Sequence, residues 1–452
     1  MSESAHRGKI TTMCFLLVTL NAAALALPSS ADNAALLYYQ AMLVKPERDI
    51  NTIILIKEVL SGTEPNETIR AYLKKCDRTL TLVEPATEIE NCNWGMIYSP
   101  DWVSEIGLSF RFDELRDIIG LYAVTLCADK EFRQSLTWSL KMLKISRHIG
   151  NFTIASNTWS LSFEDVALVC IKRVLESTTP DAETLIWLQD QLEMLRPSRD
   201  ITKMMKNECD LSVQLVRNNP GSVKLWREKL TEKAKYIDTI SQAFNERLDT
   251  LTRNKKSIQE YHEMLSLPDK DIKASLRLDD DEVNEFRYSL TMIEQIKDFS
   301  KMMPMTDEEF SKYTLPLYDK WLNSSIRILQ SDIPYKQKCV EIEKIYQDAR
   351  TQYVFDFEAA SLNPFNPIGI YNSQMSREAS YNIFRAAVEI YLIKAKTGQL
   401  PAVLPKDLPG DTFSEQEFEY NITNNGFELR CREKATYEMN VRKCEFAVKN
   451  QN

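Results

Sequence analysis

At 452 residues the chain can form two or three domains, each with its own buried core. Its 44% hydrophobic and 27% charged residues exclude a disordered chain, and only 11 glycines, well below the usual ~7%, argue against a turn-dense all-β protein. A net charge of −9 excludes a broad phosphate-binding surface, and the longest basic cluster, Arg253-Asn254-Lys255-Lys256, reads as a solvated helical face, so no nucleic-acid partner is expected.

The N-terminus carries His6, Arg7 and Lys9, then apolar runs over 13–20 and 22–27. Small residues follow, with Ser29-Ser30-Ala31 or Ala24-Leu25-Ala26 as the cleavage site, so 1–31 reads as a secretory signal peptide. Asn21 interrupts the apolar run, which falls short of the ~20 residues of a spanning helix. The alternative is an uncleaved N-terminal membrane anchor. No later stretch is apolar enough to span a bilayer, so the expected location is periplasmic or extracellular. Export changes the meaning of the cysteines: removing Cys14 leaves Cys76, Cys92, Cys127, Cys170, Cys209, Cys339, Cys431 and Cys444, an even set that permits full pairing. Cys76 and Cys92 are the first candidate bridge. Cys127 and Cys170, on apolar helical stripes, read equally as buried thiols.

In chain order, Asp32-Asn33 caps a predicted helix through "AALLYYQAML", and "INTIILIKEVL" forms a second that ends at Ser61-Gly62. Ile69, Leu73, Cys76 and Leu80 place one helix over about 66–83. An aromatic loop, "NCNWGMIYSPDW", follows. From Asp113 a stripe of Leu115, Ile118, Ile119, Tyr122 and Leu126 predicts a helix, and Phe132, Leu136, Leu140 and Leu143 predict the next. So short a break between them makes an antiparallel αα-hairpin. A helix over 154–176 precedes one opened by Thr179 as N-cap and Pro180 at the first position, striped by Leu185, Leu188, Leu192 and Leu195 and ended at Arg196-Pro197. Residues 199–260 read as charged helices and "PDKDIKASLRLDDDEV" as a polar connection. Thr306 with Glu309 is a capping box opening a helix to about Leu329, and another runs over about 335–359. "SLNPFNPIGIYNS", 361–373, reads as an extended linker between a helical domain, 32–360, and a small module, 374–452.

That module begins with a helix to Thr397, closed by Gly398. Asn425-Gly426 as a two-residue hairpin turn pairs Ile422 with Leu429 and Tyr420 with Cys431. Tyr437, Met439 and Val441 continue the alternation as a third strand. A bend at Arg442-Lys443 would then return Cys444 to Cys431 for a local disulfide.

The chain contains none of the common nucleophile-elbow, zincin, P-loop, dinucleotide or C-x-x-C signatures, and without the leader only His148 and His262 remain. No catalytic residue, cofactor or metal is implied. His148 reads as a capping or surface residue, and Asp279-Asp280-Asp281-Glu282 as acids at a helix start rather than a calcium loop. Glu164-Asp165 reads as a solvated face, with a buried acid pair as the alternative. Trp94, Tyr98 and Trp102, with Phe110 and Phe112, are the candidate ligand-binding surface for a sugar or peptide; the competing reading has them sealing a seam between helices.

Residues 113–196, with "LCADKEFRQSLTWSLKMLKIS", resemble tetratricopeptide-type helical pairs. "AAVEIYLIKAKTGQLP", "LPKDLPGDTF" and the aromatic hairpin make residues 380–432 similar to the soluble region of type II secretion pseudopilins. Through "DNAALLYYQA" and its "CNWG" element, the whole chain resembles uncharacterised exported bacterial helical proteins, which implies export and no known activity. The expected architecture is mostly α: an irregular array of helical hairpins followed by a small α+β module of a helix plus β-hairpin. The expected function is an exported, non-catalytic interaction or scaffold protein of the cell envelope, with a protein or envelope polymer as partner. The alternatives are a carboxylate-dependent hydrolase of an envelope polymer and a pseudopilin-associated secretion component.

Overall fold

The computed structural model describes residues 32–95, 103–150, 154–178, 180–196, 201–207, 267–279, 281–283, 286–287, 306–352, 367–436 and 441–448, with single positions 210 and 246. The expected leader, the basic cluster at 253–256, Cys209, His262, Tyr98 and Trp102 lie outside them, as do 361–366 of the expected linker.

The architecture is mostly α with a small sheet at the C-terminal end. Helix α1 spans Ala34–Val44, and the Asn33 side chain accepts from the Ala35 N–H at its start. Helix α2 spans Ile50–Leu60, capped by Asp49. The single helix expected over 66–83 is two, α3 (Glu67–Lys75) and α4 (Asp77–Ala86), broken at Cys76. The break turns α4 along α1, where Leu80 and Val83 bury against the core. Helices α5 (Val103–Ala128) and α6 (Phe132–Gly150) form the expected hairpin, and α7 (Ile154–Ser177) packs on both. Helix α8 (Ala182–Met194) starts later than expected: Asp181, not Thr179, is its N-cap, accepting from the Thr184 N–H at 2.7 Å.

The stretch read as a polar connection contains a helix, α9 (Asp269–Leu276). Its Ile272 and Leu276 are buried one turn apart, and that spacing outweighs the charges between them. Helix α10 (Asp307–Gln330) opens with the expected Thr306–Glu309 capping box. Helix α11 spans Tyr335–Gln352. The long helix α12 (Pro367–Thr397) begins inside the segment expected to be a linker. Pro367 sits at its first position, where the missing N–H costs nothing, so an Asn-Pro step that excludes a helix interior starts one here. Gly398, at φ +79°, closes it as expected.

Three strands follow: β1 (Glu419–Thr423), β2 (Gly426–Arg430) and β3 (Lys443–Ala447), antiparallel in that order. The turn is Asn424-Asn425 rather than Asn425-Gly426, so Ile422 pairs with Phe427 and Tyr420 with Leu429. The shift is by two residues and keeps every apolar side chain on its expected face. Gly426 is needed elsewhere: a Cβ there would stand 2.0 Å from the Phe446 carbonyl oxygen of β3. The third strand is formed by the set containing Cys444 and Phe446, opposite Leu429 and Phe427. Of the set expected there, Tyr437 and Met439 lie outside the described residues and Val441 precedes the strand.

No disulfide joins Cys431 to Cys444 in the structure. The Cys431 N–H donates to the carbonyl of Arg442, which is therefore its cross-strand neighbour, and Cys444 is displaced diagonally, where side chains meet less closely. Cys76 and Cys92 are not joined to each other either, so neither candidate bridge is formed.

Helix α12 packs against α7 and α8, and β2 packs on α12, so one continuous apolar core includes α1, α5–α8, α12 and the sheet. Phe384, Tyr391, Phe427 and Phe446 form its C-terminal part, with Phe427 and Phe446 stacked at 5.1 Å and Tyr391 edge-on to Phe427 at 5.5 Å. Such ring pairs add roughly 0.5–1.5 kcal/mol each beyond their buried area. Buried Asp411 ties the loop before the sheet to the start of the β2–β3 connection. Its Oδ1 accepts from the Phe413 N–H, and its Oδ2 accepts from the Ser414 hydroxyl at 2.7 Å and the Arg432 N–H at 2.9 Å.

Candidate functional site

Two neighbouring clusters near the α6–α7 turn hold the chain's most specialised side chains. The first is aromatic. The segment after α4 returns to the start of α1, where Asn33 Nδ2 donates to the Asn93 carbonyl and Asn33 Oδ1 accepts from the Asn93 N–H. That anchor brings Trp94 against α1, α5 and the end of α6. Its ring stacks on Tyr38 at 5.5 Å, and meets Tyr39 at 5.5 Å and Phe112 at 4.9 Å edge-on. Phe112 continues the row to Trp159 of α7 at 5.7 Å. The indole N–H donates to the His148 carbonyl at 2.7 Å, and the Tyr39 hydroxyl donates to the Trp94 carbonyl at 2.8 Å.

His148 is half-buried and its Nδ1 is 3.0 Å from the hydroxyl of Tyr38. It is neither a surface residue nor a helix cap. Burial, with the charges of Lys144 and Arg147, pushes its pKa down to about 4, so the ring is neutral near pH 7. Burial raises the Tyr38 pKa, with Cys92 and Glu88 adding to it, so the phenol stays protonated. These two groups hold the seam together as a neutral hydrogen-bonded pair.

The second cluster joins α6, α7 and α12. Glu164 is buried, which overturns its reading as part of a solvated face; exposed Asp165 keeps that place. The Ser146 hydroxyl donates to Glu164 Oε1 at 2.5 Å, and Arg377 Nε lies 3.2 Å from Oε2. Arg377 Nη1 donates to Asn157 Oδ1 at 3.3 Å, while its Nη2 has no acceptor among the described residues. Nearby, the Tyr381 hydroxyl donates to the Leu192 carbonyl at 2.6 Å. Asp165 reaches solvent at the rim of this crowded seam. Desolvation by the protein around it raises its carboxyl pKa, Glu164 adds to the rise, and Arg442, Arg377 and Arg116 oppose it.

Of the three residues expected to bind a ligand, Trp94 is thus engaged within the chain, and Tyr98 and Trp102 lie outside the described residues. No carboxylate is among the ring and hydrogen-bond contacts of Trp94 given above. Among the described residues no group of three or more His, Cys, Asp and Glu side chains is placed to hold a metal ion. Burial raises the thiols of Cys76 and Cys444 to about 11, and those of Cys92 and Cys170 to about 12, which keeps them protonated and weakly nucleophilic.

The sequence reading did not bring Tyr38, Tyr39 and Arg377 to these clusters. Tyr38-Tyr39 in a short apolar helix was a usable sign, as was the polar series Ser373, Ser376, Arg377 and Ser380 along α12. No helix of the described residues is long and apolar enough to cross a membrane. No known protein family, curated protein or solved structure matches the chain.

Proposed function

We propose that the chain is an exported, non-catalytic interaction or scaffold protein of the cell envelope. The observation that carries this reading is the use made of Trp94. Its ring stacks on Tyr38 and meets Phe112 edge-on, and its N–H is spent on a backbone carbonyl, so it serves the joint between helices rather than a groove. Glu164, the acid best shielded from water in the adjoining cluster, faces Arg377 and acts as a structural counter-ion.

Mass spectrometry of the envelope and secreted fractions tests the location: the expected N-terminus lies near Asp32 or Leu27. Recovery of the intact leader in membranes favours the anchored form. Asp165→Asn tests the role. It leaves the Glu164–Arg377 contact in place and is expected to preserve the cellular phenotype and the melting temperature. A lost phenotype at unchanged stability favours a carboxylate-dependent hydrolase acting on an envelope polymer. The observation on that side is the raised pKa of Asp165, which would suit a general acid.

A further inference from the structure

The two edges of the C-terminal sheet are treated differently. In an antiparallel hairpin closed by a two-residue turn, the residues flanking the turn exchange hydrogen bonds, and alternate residues beyond them do the same. With Thr423 opposite Gly426, residues 419, 421 and 423 bond inward to β2, and the backbone groups of Tyr420 and Ile422 point away from it. The same alternation turns residues 427, 429 and 431 of β2 toward β3, in accord with the bond from the Cys431 N–H to the Arg442 carbonyl.

On the far edge, β3 is covered. The Ala447 N–H donates to Glu176 of α7 at 2.9 Å, and the Ala447 carbonyl accepts from the Tyr391 hydroxyl of α12 at 2.6 Å. On the near edge nothing among the described residues meets the outward N–H and C=O groups of Tyr420 and Ile422. Ile422 is 54% exposed beside them.

We propose that the β1 edge pairs with β1 of a second copy of this chain, antiparallel about a two-fold axis at Asn421. The strand reads Glu-Tyr-Asn-Ile-Thr, and this register sets Tyr420 opposite Ile422 of the other copy and Ile422 opposite its Tyr420. Those are the outward-facing residues, so both pairs are hydrogen-bonded pairs and all four open backbone groups of each copy find partners. Both are apolar and lie on one face, so the exposed Ile422 gains a cross-strand neighbour.

Charge agrees with the symmetry. Glu419, the strand's charged residue, falls opposite neutral Thr423 and faces Arg430 of its own chain at 3.7 Å. Identical residues meet only at Asn421, whose neutral amide both donates and accepts. Moving the axis by one residue either way would set identical residues opposite each other at 420 or 422 and leave part of the edge unpaired. A five-residue edge buries less than the area of a tight dimer, so the association is weak and dependent on concentration.

Sedimentation equilibrium of the full exported chain tests this. The weight-average mass is expected to rise toward twice the chain mass with concentration. Ile422→Pro removes only an outward N–H and spares the β1–β2 ladder, a position where an edge strand accepts proline. It is expected to weaken association by about tenfold or more at an unchanged melting temperature. Should that variant misfold, Asn421→Cys gives an independent readout. The axis places the two cysteines as a non-hydrogen-bonded pair, about 4.5 Å apart at Cα and within disulfide reach, so mild oxidation yields a covalent dimer linked at 421. A wild-type chain that stays monomeric at every concentration overturns the proposal. So does a dimer that survives Ile422→Pro, or an oxidised Asn421→Cys chain with no crosslink through 421.

Discussion

Removing the charge of Glu164 is the sharpest test of what joins the C-terminal helix to the array. The carboxylate accepts the Ser146 hydroxyl at 2.5 Å and lies 3.2 Å from Arg377 Nε, and the two charged side chains are only 6% and 4% exposed. Glu164→Gln keeps the shape and one acceptor but leaves the guanidinium buried with no counter-charge at that distance. Breaking a buried pair in this way costs roughly 3–5 kcal/mol, most of it the stranded charge rather than the lost attraction. Arg377→Met removes the guanidinium beside the buried carboxylate and is likewise destabilising. The double replacement Glu164→Gln/Arg377→Met removes both charges and should cost clearly less than the sum of the two single changes. Urea unfolding followed by tryptophan fluorescence reads the cycle, because Trp94 and Trp159 lie in the adjoining seam. If Glu164→Gln costs under about 1 kcal/mol, or the two single changes simply add, the pair is not what holds α12 to α7, and the reasoning fails.

Acidification should weaken the fold through His148. Above about pH 6.5 both folded and unfolded chains hold it neutral, and between 6.5 and about 4 only the unfolded chain takes the proton, so stability falls as pH drops through that window. The full loss is at most ~3 kcal/mol, and pH-dependent melting of His148→Gln should lack this part of the slope. Gly426→Ala should lower stability by about 1–3 kcal/mol, read by melting, because its Cβ collides with the Phe446 carbonyl and β3 must move away. Asp411→Ala leaves the Ser414 hydroxyl and the Phe413 and Arg432 N–H groups without their acceptor. A loss of about 2–4 kcal/mol is expected, with faster proteolytic cleavage near 411–433 than in the wild type.

Local chemistry was legible in the sequence wherever one short segment carried the whole signal. Asn33, the Thr306–Glu309 box and Gly398 each mark a helix end by satisfying nearby backbone groups or by tolerating positive φ, and no distant residue is needed. Errors arose where a distant element decides. Gly426 looked like a turn glycine because Asn-Gly favours that turn, but what requires it is β3, a strand beyond the hairpin. The charged stretch at 268–283 hid the Ile272–Leu276 pair, a signal present but outweighed. The Glu164–Arg377 contact was invisible for another reason. A polar residue on a helix is assigned to solvent unless its partner is known, and that partner lies across the expected linker. Trp94 was found by its neighbourhood of aromatic residues, yet only its contacts separate a seam from a groove.

The covered edge of the sheet also constrains the order in which the molecule can be made. Residues 443–447 leave the ribosome after β2, and they supply both the inner partner of β2 and the strand that Glu176 and Tyr391 cap. Until they emerge, α12 can settle on α7 and α8, but Phe427 and Leu429 lack Phe446 and Cys444 beside them. The earlier helices can therefore assemble during synthesis, whereas closure of the sheet must await β3. A chain that stalls before β3 would expose a two-stranded hairpin with a bare apolar flank, the kind of surface that chaperones and proteases recognise.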